Sequence, residues 1–148
     1  MAHLPDRKAT TEKIKSLLYP RKEIVLTYLY GSLAKGTTNP RSDMDIAILL
    51  NENISDDAYP YGYRAEILSD LMKVFQTNRI DLVILNEAPP FLRFQVIRYG
   101  VLIFSRSEAK RIDFQVKTFA TYNDVKRLLD VQHQYLTQRL RDGTYGKK

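Results

Sequence analysis

The stretch "YGSLAKGTTNPRSDMDIAILL", residues 30–50, decides how this chain folds. Its second half, "DMDIAILL" (43–50), is the apolar run of a buried strand, yet it opens on two carboxylates, Asp43 and Asp45. The preceding run, "EIVLTYLYG" (23–31), is β-branched and aromatic and stops at Gly31, so it reads as a second buried strand. Between them "TTNPRS" (37–42) has loop chemistry. Residues i and i+2 of a strand share a face about 6.6 Å apart, which puts Asp43 and Asp45 on one side and Met44 and Ile46 on the other. Like charges so placed raise each other's pKa, and burial adds to the effect. Either a cation compensates them, or both acids belong to the loop and the strand begins at Ile46.

Asp81 weighs on that choice. It stands near the start of another apolar run, "RIDLVIL" (79–85), where the head of Asp43's strand can lie beside it. Three carboxylates converging from two strands suit a hard divalent cation with oxygen ligands, Mg²⁺ above all, together with a base. Such a set fits a site of one or two ions. Gly31 and Ser32 supply the complementary half. A sharp turn at a glycine, followed by a serine able to cap a short helical turn through "SLAKG", offers free backbone N–H groups and a hydroxyl to an anion. Lys35 adds charge there. The acids would hold a cation, and the turn would hold the phosphates bound to it.

Outward from this segment the chain alternates. "DRKATTEKIKSLL" (6–18) reads as a helix stopped by Pro20. "RAEILSDLMKVFQ" (64–76) carries Ile67, Leu68, Leu71, Met72 and Phe75 at helical spacing. Pro89 and Pro90 open a helix that stops at Gly100, and "VLIFS" (101–105) is a short strand. Ser105 with Glu108 makes a capping-box signature for a last helix to about residue 142, whose apolar period runs from Ile112 to Leu140 and which ends at Gly143. At roughly 50 Å such a helix is longer than this sheet needs, so part of it should project toward another chain. The order α-β-β-α-β-α-β-α predicts an α/β (α+β) fold, a small mixed sheet with flanking helices. It is one domain spanning residues 1–148, with a core over about 20–105 and the long helix over about 106–142.

Composition excludes several classes. With 148 residues, 44% hydrophobic and 27% charged, the chain is globular. Cysteine is absent, which removes disulfides and thiolate metal sites and suits a reducing cytoplasm. No apolar run approaches the roughly 18 residues of a membrane span, and "MAHLPDRKATTEKIK" has no apolar leader core, so a cytoplasmic location without membrane partners is expected. The net charge of +6 lies wholly in the second half, where 13 basic residues face 7 acidic ones over residues 75–148. That excess suits a polyanion or simply a solvated helix face, and no direct nucleic-acid contact is expected.

"GSLAKGTTNPRSDMD" resembles the Gly-Ser, ten residues, Asp-x-Asp signature of the polymerase-β-like nucleotidyltransferases, and Asp81 in "RIDLVIL" is similar to that superfamily's third acid. The likeness extends over roughly residues 20–105. In its shortness the chain is most similar to the minimal (MntA-like) nucleotidyltransferases that serve as antitoxins in HEPN–MNT toxin–antitoxin pairs. The resemblance implies ATP-dependent transfer of AMP to a tyrosine of a cognate HEPN-type ribonuclease toxin, within a hetero-oligomeric complex. It implies that Gly31 and Ser32 bind the nucleotide, that Asp43 and Asp45 ligate Mg²⁺, and that Asp81 completes the metal site and helps deprotonate the attacking hydroxyl. Where many relatives carry arginine this chain has Lys35, which loses the bidentate fork.

Two other functions compete: transfer of a nucleotide to a small molecule such as an aminoglycoside, and a non-catalytic antitoxin that blocks its toxin by binding. The first lacks a second substrate domain, and the second does not need a full set of acids. The tyrosine cluster "YPYGY" (59–63) is expected mainly to pack on the surface at the entry to the following helix. Arg93 and Arg98 are expected on a solvated helix face, and His3 and His133 have no partner at metal-ligand spacing.

Overall fold

The computed structural model describes residues 6–31, 43–52, 59 and 61–143. In chain order these form α1 (Arg7–Leu18), β1 (Ile24–Tyr30), β2 (Met44–Leu50), α2 (Tyr63–Phe75), β3 (Ile80–Ile84), α3 (Pro90–Tyr99), β4 (Val101–Ser105) and α4 (Glu108–Arg141). The order of elements is the one expected from the sequence. The four strands make one mixed sheet in the spatial order β3-β2-β1-β4. β1 runs antiparallel to both β2 and β4, and β2 runs parallel to β3. A parallel pair needs a crossover, and α2 supplies it.

Both faces of the sheet are covered, which is why β1 and the body of β2 read as continuous apolar runs. One face packs Ile24, Leu29, Met44, Ile46, Ile48 and Leu82 against Ile14 and Leu18 of α1 and Ile67 and Leu71 of α2. The other packs Val25, Tyr28, Ala47 and Leu85 against Val96 of α3 and Phe114 of α4. Burying a Leu or Ile side chain contributes about 1.5–3 kcal/mol, so these two layers are the dominant stabilising term. Polar pins fix the sheet's margins. The Asn86 side chain accepts from the Leu50 N–H at 2.8 Å and donates to the Leu50 carbonyl at 2.9 Å. The Arg106 Nε donates to the Ile24 carbonyl at 3.0 Å while its guanidinium lies over the Tyr19 ring.

Three local expectations are corrected. Ser105 is not the cap of α4: it is the last residue of β4, paired with Leu26. The N-cap is Ser107, whose hydroxyl accepts from the Lys110 N–H. Arg93 does not lie on a solvated face, because its Nη2 donates to the Asn86 carbonyl at 2.6 Å and its guanidinium rests on the Phe114 ring. Tyr63, far from packing on the surface, is a core residue at the first turn of α2. Its ring meets Tyr59 edge-on, and its hydroxyl donates to Glu23 at 2.9 Å.

α4 contains 34 residues and spans about 50 Å. Its first half is held by rings: Tyr122 stacks on Phe94 at 3.9 Å and 8°, and Phe119 meets Phe94 edge-on at 5.6 Å. Beyond Tyr122 the apolar period continues with little to cover it. Val125, Leu128, Leu129, Val131, Leu136 and Leu140 are all exposed. Gly143 ends the helix at φ +71, the left-handed conformation in which glycine is favoured. The helix therefore overhangs the sheet, as its length predicted.

Candidate active site

The register of the sheet brings the acids together. Asp45 of β2 pairs with Tyr30 of β1 on one side and with Asp81 of β3 on the other. Residues paired across a sheet point to the same face, so Tyr30, Asp45 and Asp81 form a row with strands about 5 Å apart. Asp43 lies just before β2, two residues from Asp45 and on the same side of the pleat. The structure divides the pair: Asp43 is outside the strand and exposed, and Asp45 is inside it and half-buried, so the strand begins at Met44 and not at Ile46. Met44 and Ile46 are buried in the opposite layer, as the alternation required.

Gly31 belongs to the same site. Its φ is +76, and a Cβ built there would stand 2.2 Å from Asp45 Oδ2 and 3.0 Å from its Cγ. A side chain at this position would displace the carboxylate. Glycine is needed for both backbone conformation and space. Ser32 and Lys35, expected to complete the anion-binding turn, lie outside the described residues.

Electrostatics mark the row as unusual. The Asp45 carboxyl is pushed up from the ordinary 3.8 to about 6, first by burial and then by the charges of Asp81 and Asp43. The Tyr30 hydroxyl is held well above the usual range, mainly by burial and next by Asp45 and Asp81, with Arg64 opposing. Packed negative charge of this kind is stabilised by a cation.

One cation is already present, and sequence reasoning missed it. Arg64, in the first turn of α2, donates from Nε to the Leu82 carbonyl at 2.8 Å and from Nη2 to Asp81 Oδ1 at 3.0 Å. β3 is an edge strand, so the guanidinium covers an otherwise open carbonyl and reaches past that edge to the acid. No pattern in "YRAEILSDL" announces this, because an arginine at a helix start ordinarily faces solvent.

The donor set fits a hard divalent ion. Asp43 and Asp45 present carboxylate oxygens on one face, and Mg²⁺ typically takes one or two protein carboxylates while keeping water and phosphate elsewhere. Asp81 is committed to Arg64, and among the described residues no three His, Cys, Asp or Glu side chains are gathered around one point able to hold an ion. A surface hollow of about 500 Å³ on α2, lined by Leu68, Met72 and Gln76 among others, includes none of the acids.

With this geometry in place the relatives can be compared. Residues 12–109 match the family described as polymerase beta, nucleotidyltransferase. The protein adenylyltransferase MntA of Shewanella oneidensis is 30% identical over 104 residues, 70% of each chain. The chain belongs to the MntA-like branch of the polymerase-β-like nucleotidyltransferases. A chain of a solved toxin–antitoxin with AMP-PNP superposes with a TM-score of 0.71 at 27% identity, over 86% of this chain and 98% of that one. A chain of the tri-AMPylated Shewanella oneidensis HEPN toxin in complex with MNT antitoxin superposes with a TM-score of 0.68 at 24% identity, over 89% and 99%, and shares the fold. As an MntA-like nucleotidyltransferase the chain carries its acids where the sheet's register assembles them. No helix among the described residues is long and apolar enough to cross a membrane.

Proposed function

We propose that this chain, as one minimal nucleotidyltransferase domain over residues 1–148, is a cytoplasmic antitoxin that transfers AMP from ATP to a tyrosine of a cognate HEPN ribonuclease toxin. The observation that carries the reading is the row Tyr30–Asp45–Asp81 with Gly31 fitted beneath Asp45, a carboxylate cluster at a strand end with room made for it. The names of the similar proteins support the rest, since they describe an adenylyltransferase and a toxin–antitoxin with a bound ATP analogue. The exposed apolar side of α4 supports a protein partner.

In this reading Asp43 and Asp45 hold Mg²⁺, as a pair of ions if Asp81 joins them, and Gly31 and Ser32 receive the triphosphate. Bound Mg²⁺ would neutralise charge on the α-phosphate and on the leaving pyrophosphate. The attacking tyrosine hydroxyl forms a bond to the α-phosphorus as the bond to pyrophosphate breaks, and the free oxygen of Asp81 accepts the hydroxyl proton. Positioning by the rigid sheet supplies most of the rest.

The test is intact-mass analysis of this chain and its toxin after incubation with each of the four nucleoside triphosphates. A gain of one or more AMP units on the toxin is expected with ATP and Mg²⁺, and it should vanish with a chelator or in Asp43→Ala. An unmodified toxin that is nonetheless inhibited in the complex would refute the transfer and leave a binding-only antitoxin.

A further inference from the structure

Arg64 is the cation that the mechanism above leaves unused. Its place in the fold is well determined: the Nε bond to the Leu82 carbonyl anchors the planar guanidinium, and that anchor presents Nη2 to Asp81 Oδ1. Both partners of the resulting ion pair are about half exposed, so the pair sits at the mouth of the site and not in the core. Across the row, Asp45 and Asp43 are the neighbouring acids, and Asp81 is held in an ion pair with Arg64 at 3.0 Å.

We infer that Arg64 is a positioning residue that reserves Asp81, acting as an internal competitor that weakens divalent-cation binding until a nucleotide arrives. The inference rests on the reading that these acids hold Mg²⁺. A divalent ion drawn toward Asp43 and Asp45 alone meets only two of the three carboxylates and is repelled by the adjacent guanidinium. A nucleoside triphosphate changes both conditions. It brings phosphate oxygens that complete the ion's coordination, and it offers the guanidinium an alternative bidentate acceptor, which releases Asp81. The cation and the nucleotide would thus bind as a pair, and the site would not fill with metal alone. No covalent step is involved.

The experiment is a titration of the nucleotide-free protein with Mn²⁺, with the free ion followed by its electron paramagnetic resonance signal. Removing the guanidinium in Arg64→Gln takes a unit charge away from the ion's neighbourhood and frees a carboxylate. Mn²⁺ should then bind roughly three- to tenfold more tightly than to wild type. Arg64→Lys, which keeps a charge but loses the fork, should fall between the two, and it keeps the test open should the glutamine variant fold poorly. In an Asp81→Asn background only the charge part of the Arg64→Gln gain should remain, so the gain should shrink. Unchanged or weaker Mn²⁺ binding in Arg64→Gln overturns the inference, while the cation reading survives as long as Asp45→Asn abolishes binding. Binding that is indifferent to Asp45→Asn overturns both.

Discussion

Asp45→Asn should make the protein more stable as it removes function, and the size of the gain follows from the site. In the folded chain the Asp45 carboxyl holds its proton up to about pH 6, against 3.8 ordinarily. A folded-state value above the unfolded one means that the native state binds the proton more tightly. The stability this lends is fully present below pH 4 and is lost as pH rises toward and through 6. At about 1.4 kcal/mol per pH unit the gap amounts to at most about 3 kcal/mol, and solvent reaching the half-buried carboxylate brings it to about 1–2 kcal/mol. Asparagine has nearly the same shape and no charge. Urea unfolding of both proteins between pH 4 and 8 should therefore show equal stability near pH 4 and a growing advantage for Asp45→Asn that levels off above pH 7. Mg²⁺ with a non-hydrolysable ATP analogue should narrow the difference at pH 7.5 by stabilising wild type alone. A difference that is flat with pH, or a less stable Asp45→Asn at pH 7.5, would refute the premise that burial and like charge govern this carboxylate.

Further expectations test the surroundings. Gly31→Ala combines a left-handed backbone with a Cβ 2.2 Å from Asp45 Oδ2, so it should cost about 1–3 kcal/mol in denaturant unfolding and displace the carboxylate enough to remove transfer. Tyr122→Ala loses the stacked Phe94 contact at 3.9 Å and should cost about 1–2 kcal/mol, seen as a lower unfolding midpoint, without altering cation binding. Truncation after Asp124 removes the overhanging part of α4 and the residues after it, so the shortened chain should keep its melting temperature within a few degrees while losing its hold on the toxin in a pull-down.

Most of the architecture was legible because two periods do the writing. Strands covered on both faces leave unbroken apolar runs, and helices packed on a sheet leave a 3.6-residue stripe, so the element order could be read from residues 6 to 142. What remained hidden depends on contacts across the chain. The cap of α4 moved from Ser105 to Ser107 because β4 needed Ser105 to pair with Leu26, and a local capping pattern carries no information about that ladder. Arg93 looked solvated because its partners, the Asn86 carbonyl and the Phe114 ring, come from other elements. At the site, Asp43, Asp45 and Gly31 were visible as acids in an apolar strand and a glycine at its neighbour's end. Tyr30 and Arg64 were not, since a tyrosine in a strand and an arginine at a helix start have ordinary explanations.

The position of the row explains how a stable sheet tolerates it. Tyr30 is the last residue of β1, Asp45 the second of β2 and Asp81 the second of β3, so the charges cluster at one end of three adjacent strands. From Ala47 onward the same face turns apolar and packs beneath α3 and α4. Two residues further along, the acids would enter that layer and be buried among Val25, Tyr28 and Val96, where an unpaired charge costs several kcal/mol. Two residues earlier they would leave the ladder and lose their fixed spacing. The strand end is the place where a carboxylate is held by the register and still reached by solvent, phosphate and metal. Arg64 follows from the same geometry: only at the edge strand can a helix from the opposite face send a side chain around the sheet to touch an acid. A cation brought in this way comes from α2, across the edge of the sheet from the acids. The charge beside Asp81 is therefore set from a helix that contributes none of the three acids.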